Sequence, residues 1–419
     1  MLKAGGKMVR QAFKLMAVMV CGAFSVPATV MAQDLQALAR VDVENSSITD
    51  ERSGGVALNL QLSQPVPFRV FTLDNPPRLV LDFKEIDWTG FDKVAVDQSE
   101  AVTDLRFGIF RPGWSRLVLD LATPVLPDQT EMRVDETRGT ATLSIQMIAA
   151  NAEEFSDFSQ LREEDGWALP KSTVAGQPKE RQLGDRPVMV VIDPGHGGVD
   201  SGAEREGYEE KLLVMQFALE LEEALIRTGR YKAELTRKDD VFMSLPDRIS
   251  KARSLGADVF LSIHADALSE GSATGTTVYT LSNKASDNMA AELAAGHDRG
   301  DLLAGVDLSE QDDQIASVLM DMARLETDVR SEMLADFMVN GIAQSVGRIR
   351  KRPHLGAGFT VLKAPYIPSV LIELGFMSNK SDLVNLLTEG WRNKVTRGII
   401  DALDNWTVED AAQARLLRQ

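Results

Sequence analysis

Across residues 41 to 148 apolar and polar positions alternate in short runs. In Val56-Ala57-Leu58-Asn59-Leu60-Gln61-Leu62 the even positions are apolar, which is the period of a half-buried strand. Pro65, Pro67, Pro76, Pro77, Pro112, Pro124 and Pro127 cut this region into short pieces and exclude long helices. One strand occurs twice. Arg78-Leu79-Val80-Leu81-Asp82-Phe83 returns as Arg116-Leu117-Val118-Leu119-Asp120-Leu121, which predicts a pseudo-symmetric pair of small sheets packed face to face. Arg78 and Arg116 read as edge-strand charges that block pairing with other chains. Over residues 149 to 186 the periodicity dissolves into acidic and then Pro-, Gly- and Lys-containing text, so a flexible linker is expected. Few packing contacts are expected across it, and the two halves should be separable.

From Pro187 to about residue 407 strands alternate with helices. Residues 188 to 192 and 259 to 263 are continuous apolar runs, as are residues 369 to 372, and each predicts a strand buried on both faces. Leu213, Phe217, Leu221, Ala224 and Leu225 recur at helical spacing from about Glu210 to a stop at Gly229. Ser244 with Asp247 three residues on predicts the capped start of a second helix. Thr276-Thr277-Val278-Tyr279-Thr280 and Thr360-Val361-Leu362-Lys363 read as further strands. Between them Ile315, Val318, Leu319, Met322 and Leu325 mark another amphipathic helix. This alternation predicts an α/β domain, a mostly parallel sheet flanked by helices, following the all-β half.

Charge and composition narrow the function. The chain of 419 residues carries 45 Lys+Arg against 62 Asp+Glu, a formal charge of -17, which argues against a nucleic-acid partner. Lys3, Lys7, Arg10 and Lys14 precede an apolar stretch over residues 15 to 26 and the small-residue exit Val30-Met31-Ala32. That layout predicts a cleaved secretory signal over residues 1 to 32. The stretch is short of the roughly 20 residues a membrane span needs, so no stable membrane insertion is expected. The only cysteine, Cys21, leaves with the leader; a bulky Val20 before it argues against lipidation. An exported, Cys-free, acidic product fits the periplasm.

The chemistry gathers at strand exits. His196 stands in Asp193-Pro194-Gly195-His196-Gly197-Gly198 and His264 in Ser262-Ile263-His264-Ala265-Asp266, each just past a buried strand. The carboxyl ends of strands border the ligand crevice of open α/β sheets, so these two imidazoles predict a shared metal site. A carboxylate near the next helix start would complete it, with Glu204, Glu206, Glu209 and Glu210 all in reach by sequence. Glu373 ends the strand Val370-Leu371-Ile372, where a lone carboxylate is costly to bury; a general base is the sharper reading, a paired structural Glu the plainer one. His297 and His354 lie in polar or basic text and read as surface or supporting residues. Arg237 and Arg248 fit helix–loop salt bridges at least as well as substrate contacts, and Asp312-Asp313 reads as solvated surface.

The first half resembles the AMIN domain, a β-sandwich module that targets envelope proteins to peptidoglycan, with P-P-R-L-V-L-D-F as its most recognisable piece. The second half carries V-V-I-D-P-G-H-G-G, E-K-L-L, L-T-R-K-D-D-V-F-M-S-L-P-D-R, D-V-F-L-S-I-H-A-D-A and S-V-L-I-E-L-G-F-M-S-N in this order. It resembles the zinc-dependent N-acetylmuramoyl-L-alanine amidases of the amidase_3 family, and the whole arrangement is similar to Gram-negative cell-division amidases. The resemblance implies one Zn²⁺ per chain held by His196, Glu210 and His264, with Glu373 as catalytic carboxylate. It settles the choice among the four glutamates, because the family residue stands directly before a Lys. It implies hydrolysis of the bond between the lactyl group of N-acetylmuramic acid and L-Ala of the stem peptide, in cell separation and wall turnover. Similar division amidases cover the zinc with an inserted helix. Here about forty residues, 297 to 336, are expected either to do so or simply to cover one edge of the sheet. In the first case Glu310 or Glu326 fills the open position of the zinc until a LytM-domain activator withdraws the segment. The remaining readings are a non-catalytic peptidoglycan-binding scaffold of the same fold and, with two His and one carboxylate, a non-haem iron oxygenase, which would have no use for Glu373.

Overall fold

Two β-sheets stacked on one apolar core make up the N-terminal half. The computed structural model describes residues 38–160, 180–268, 273–303 and 314–416, apart from positions 53, 85, 112, 136 and 348. The expected leader over residues 1 to 32, with Cys21, lies outside them. The strands are β1 (Ala39–Asp50), β2 (Val56–Leu62), β3 (Phe68–Leu73), β4 (Arg78–Lys84), β5 (Ile86–Asp87), β6 (Val102–Arg111), β7 (Trp114–Leu121), β8 (Val125–Asp135) and β9 (Thr140–Ala149), with a one-turn helix α1 (Lys93–Val96) between β5 and β6. One sheet has the order β5-β1-β2-β9-β8 and the other β3-β4-β7-β6. Leu58, Leu60, Leu143 and Ile145 from the first meet Leu79, Leu81, Leu117 and Leu119 from the second, so the alternation read in β2 buries its even positions as expected.

The repeated strand is placed differently from its expectation. Both copies, β4 and β7, are neighbours in one sheet and run antiparallel, so Arg78 faces Asp120 and Asp82 faces Arg116. Antiparallel pairing of an Arg-x-x-x-Asp strand with its own copy sets each cation opposite the other's anion. Nor are the arginines edge charges, because both strands are central and both residues are buried. Arg116 Nε and Nη2 donate to the two Asp82 oxygens at 2.6 and 3.0 Å, and Arg69 Nε reaches Asp82 at 2.8 Å. Breaking a buried pair from one side leaves an uncompensated charge. Asp82→Ala is therefore expected to cost the sandwich about 3–5 kcal/mol, read as an earlier transition in urea.

The expected linker is ordered at both ends. Helix α2 (Ala152–Gln160) lays Phe155 into the sandwich core, and Thr72 Oγ1 meets Ser159 Oγ at 2.8 Å. Arg181 and Gln182 bind Asp410 at 2.7 and 2.8 Å, and Arg186 binds Asp258 at 2.6 Å. Residues 161–179 lie outside the described set.

The second half is built on a six-stranded sheet. Its elements are β10 (Val188–Pro194), the short hairpin β11 (Glu204–Arg205) and β12 (Tyr208–Glu209), α3 (Glu210–Arg227), β13 (Tyr231–Leu235), α4 (Leu245–Ser254), β14 (Val259–His264), β15 (Thr277–Leu281), α5 (Asn288–Leu303), α6 (Gln314–Val346), β16 (His354–Ala357), β17 (Ser369–Glu373), α7 (Lys380–Leu387) and α8 (Glu389–Leu416). The order is β13-β10-β14-β17-β15-β16, and only the β15–β17 pairing is antiparallel. Val190 and Ile192 face α3, α6 and α8, whereas Val191 faces the opposite core with Ala252 of α4 and Leu293 of α5. Ser244 caps α4 by accepting the Asp247 N–H at 3.2 Å. Residues 360 to 362 form a 3-10 turn rather than the expected strand. The sheet edge beside β15 is taken by β16, and Pro365 has no N–H to give a ladder.

The described residues from Leu38 onward belong to one compact unit. Phe110 and Val118 of the sandwich share a buried cluster with Val199 and Phe242 of the α/β half, against the expectation of few contacts between the halves.

Candidate metal centre

Strand β10 ends in a turn that brings His196 over the sheet. A side chain at Gly195 would come within 2.2 Å of His264 Cε1, so only glycine lets the imidazole lie against this turn. His196 itself has φ 56, the left-handed region, which costs a non-glycine residue about 1–3 kcal/mol and persists only where surroundings impose it. They do so here. Arg248 donates to the carbonyls of Pro194 and His196 at 2.8 Å each and to Asp193 Oδ1 at 2.9 Å. Arg237 donates to the carbonyls of Pro194 and Gly195 at 3.1 and 2.8 Å. Burial, with the Arg248 charge beside it, pulls the Arg237 guanidinium down to about 10. Both arginines shape the loop from behind.

Three of the expected residues converge at the strand ends. Glu210 opens α3 fully buried. Its Oε2 lies 3.2 Å from His196 Nε2 and its Oε1 lies 3.1 Å from His264 Nδ1. The backbone N–H groups of Ala203 and Ala265 donate to the same carboxylate at 3.0 and 2.9 Å. The competing glutamates point elsewhere: Glu204 pairs with Lys93, Glu209 pairs with Lys211, and Glu206 is exposed. Asp200 Oδ2 holds His196 Nδ1 at 2.9 Å, which turns Nε2 inward. Burial opposes the charge on His196, but Asp200 and Glu210 outweigh it and raise its pKa well above the usual value. Burial and the charges of His297 and His196 push His264 down to about 3. Across β14, His264 is paired in register with Glu373 of β17. Glu373 is fully buried and accepts the Asp266 N–H at 3.1 Å through Oε2. Burial, then the Asp266 and Glu210 charges, hold its carboxyl well above the usual range.

His297, expected as a surface or supporting residue, lies at this centre and not on the surface. It is buried on α5, its ring stacked 4.1 Å from that of His264. The ring nitrogens of His196, His264 and His297 lie within 4.8 Å of one another, and His297 forms a second such group with Asp266 and Glu373. At the centre His196 Nε2, both His297 nitrogens and Glu373 Oε1 are buried without a hydrogen-bond partner. A polar interior of that kind could hold a cation, and imidazole with carboxylate is a donor set that suits zinc. Of the two acidic caps expected for the site, Glu326 instead pairs with Arg181 at 2.8 Å and is exposed, while Glu310, like Asp312 and Asp313, lies outside the described residues. His354 sits on edge strand β16, bound to Asp336 at 2.9 Å, in keeping with a surface role.

The sequence profile of the family described as N-acetylmuramoyl-L-alanine amidase matches residues 190–405, and that of the AMIN domain matches residues 47–143. The chain is 31% identical over 369 residues to N-acetylmuramoyl-L-alanine amidase AmiC of Escherichia coli, covering 85% of this chain and 88% of that one. It is 32% identical over 366 residues to AmiC of Neisseria meningitidis, with 83% and 86% covered. Among solved structures, the catalytic domain of CwlV, an N-acetylmuramoyl-L-alanine amidase of Bacillus (Paenibacillus) polymyxa, aligns with a TM-score of 0.39 and 26% identity over 52% of this chain and 97% of that one. The chain therefore belongs to the amidase_3 family of N-acetylmuramoyl-L-alanine amidases, in the form that carries an N-terminal AMIN domain.

Proposed function

We propose that the chain is a zinc-dependent wall amidase holding one Zn²⁺ on His196, Glu210 and His264, with Glu373 as its catalytic carboxylate. The observation that carries this reading is the convergence of those three side chains beside a buried Glu373 whose Oε1 has no hydrogen-bond partner and lies 3.8 Å from His297 Nε2. Zinc bound there would polarise the scissile carbonyl and bring the pKa of water from about 15.7 to about 7. Glu373 Oε1 would take a proton from the attacking water and return it to the departing amide nitrogen. The bond cut is that between the lactyl group of N-acetylmuramic acid and L-Ala, and the product is a freed stem peptide. Asp200 would keep His196 in the tautomer that offers Nε2.

The working compartment in this reading is the periplasm, reached through the leader, and the role is cell separation and wall turnover. Among the described residues no helix is long and apolar enough to cross a membrane. Helix α5 lies over the site, and with His297 as a fourth donor zinc would have no open position for substrate, the state of a structural rather than a catalytic site. A LytM-domain activator that binds the form with α5 withdrawn would shift the population to the open enzyme.

The test is metal content and hydrolysis measured together. The purified chain is expected to hold one zinc, and His196→Ala and His264→Ala each to lose tight zinc and the release of dye-labelled stem peptides from sacculi. Full activity in His264→Ala would overturn the ligand assignment.

A further inference from the structure

The AMIN sandwich does more than share a chain with the amidase: the end of β6 rests on the loop that carries His196. At Gly198 a side chain would meet the Ile109 carbonyl oxygen at 1.9 Å, and at Gly108 one would meet the Gly198 carbonyl carbon at 2.5 Å. Two backbones touch there with no room for a Cβ on either. The Phe242 N–H donates to the Ile109 carbonyl at 3.2 Å, closing the contact from the amidase side.

An apolar plug surrounds this contact. Phe110, Leu73, Val80 and Val118 of the sandwich bury Val199 and Phe242, and the Phe110 and Phe242 rings stack 5.7 Å apart at 21°. Phe110 is itself pinned, because the Arg116 guanidinium lies 3.6 Å from its ring centre and is anchored on Asp82. At the rim Lys93 bridges to Glu204 at 3.2 Å. From within the amidase, Lys211 Nζ donates to the Gly198 carbonyl at 2.8 Å and Asp240 accepts the Gly198 N–H at 2.7 Å. The loop from His196 to Val199 is thus clamped between two domains.

That clamp sits where the loop most needs one. Gly197 and Gly198 follow His196 directly, both at positive φ, and glycine pairs carry the largest conformational freedom to be restrained. We propose that Gly108 and Phe110 of the AMIN domain are positioning residues for the metal site, holding His196 through Gly198 and Val199. Groups that orient a metal ligand are worth about 10–100-fold in metal affinity or activity. The proposal rests on His196 being a zinc ligand, but the restraint on the loop does not.

The test uses the full chain with Gly108→Val, which drives the two backbones apart, and Phe110→Ala, which empties the plug. Val134→Ser, at an exposed position of β8 on the other sheet, is the control. Both interface variants are expected to speed amide exchange at residues 197 to 199, to speed zinc release to a chelator about tenfold, and to lower kcat on soluble wall fragments at unchanged KM. Exchange in β2 and β9 should stay at the level of the control. If either variant disturbs those strands, Phe242→Ala, made from the amidase side, must reproduce the three effects. A domain that only tethers would raise KM on intact sacculi and leave loop exchange, zinc release and kcat unchanged, and that result overturns the proposal. The exchange measurement needs no metal, so faster exchange with no zinc bound at all would retain the clamp and reject the zinc reading instead.

Discussion

Glu373→Gln is expected to keep its zinc and to lose turnover by about 10²–10⁴-fold, the range of a positioned acid–base group. Glutamine has the same shape, and its carbonyl oxygen can still accept the Asp266 N–H that Glu373 Oε2 accepts at 3.1 Å. What it cannot do is carry a proton at Oε1, the atom left without a hydrogen bond in the buried site. The metal should stay because the proposed donors, His196, Glu210 and His264, are untouched and the Glu210 carboxylate is held by the Ala203 and Ala265 N–H groups. Zinc content by chelator titration and hydrolysis of labelled sacculi, taken on one preparation, separate the roles. Loss of metal along with turnover would make Glu373 a ligand and require another proton carrier.

The residues of this centre differ in how legible they were, and the differences have physical causes. His196, His264 and Glu373 each follow a run of apolar residues that could only be a buried strand, and a parallel sheet brings such ends to one edge. Glu210 was ambiguous by composition, since three other glutamates precede it within six residues, and burial separates them. His297 was missed because its immediate neighbours are polar. Its signal lay at longer range: Ala290, Leu293, Ala294 and His297 have the spacing of one helix face, and all four are buried. A histidine that closes an apolar stripe is a candidate for whatever that stripe covers.

Other departures trace to tertiary pairing, which no local pattern encodes. The Arg78 and Arg116 strands look alike whether they lie in separate sheets or side by side, and only their register reveals the crossed pairs with Asp120 and Asp82. Thr360-Val361-Leu362 has strand composition and is buried, yet the edge it would need is occupied by β16. The contact between the halves was invisible for a related reason. It is made by glycine backbones and by one aromatic from each side, with the intervening polar segment arguing for independence.

His297→Ala is expected to retain zinc, to raise basal hydrolysis about tenfold and to blunt the response to an activator. Ala290, Leu293 and Ala294 hold α5 against the core that contains Tyr279 and Phe359, so the helix should persist without its imidazole. What the substitution removes is the ring stacked on His264 and two nitrogens without a hydrogen bond, one of them facing Asp266 and Glu373 at 3.6 and 3.8 Å. Those nitrogens favour the covered state by reaching the metal position and the Asp266 and Glu373 carboxylates, and every 1.4 kcal/mol taken from that preference raises the open fraction tenfold. An activator acts on the same equilibrium, so a chain already shifted toward the open form has less left to gain. The opposite result is equally readable. If basal hydrolysis falls while zinc stays, His297 serves the reaction instead of blocking it; if zinc and hydrolysis fall together, it is a resident ligand, and withdrawal of α5 cannot be the opening step.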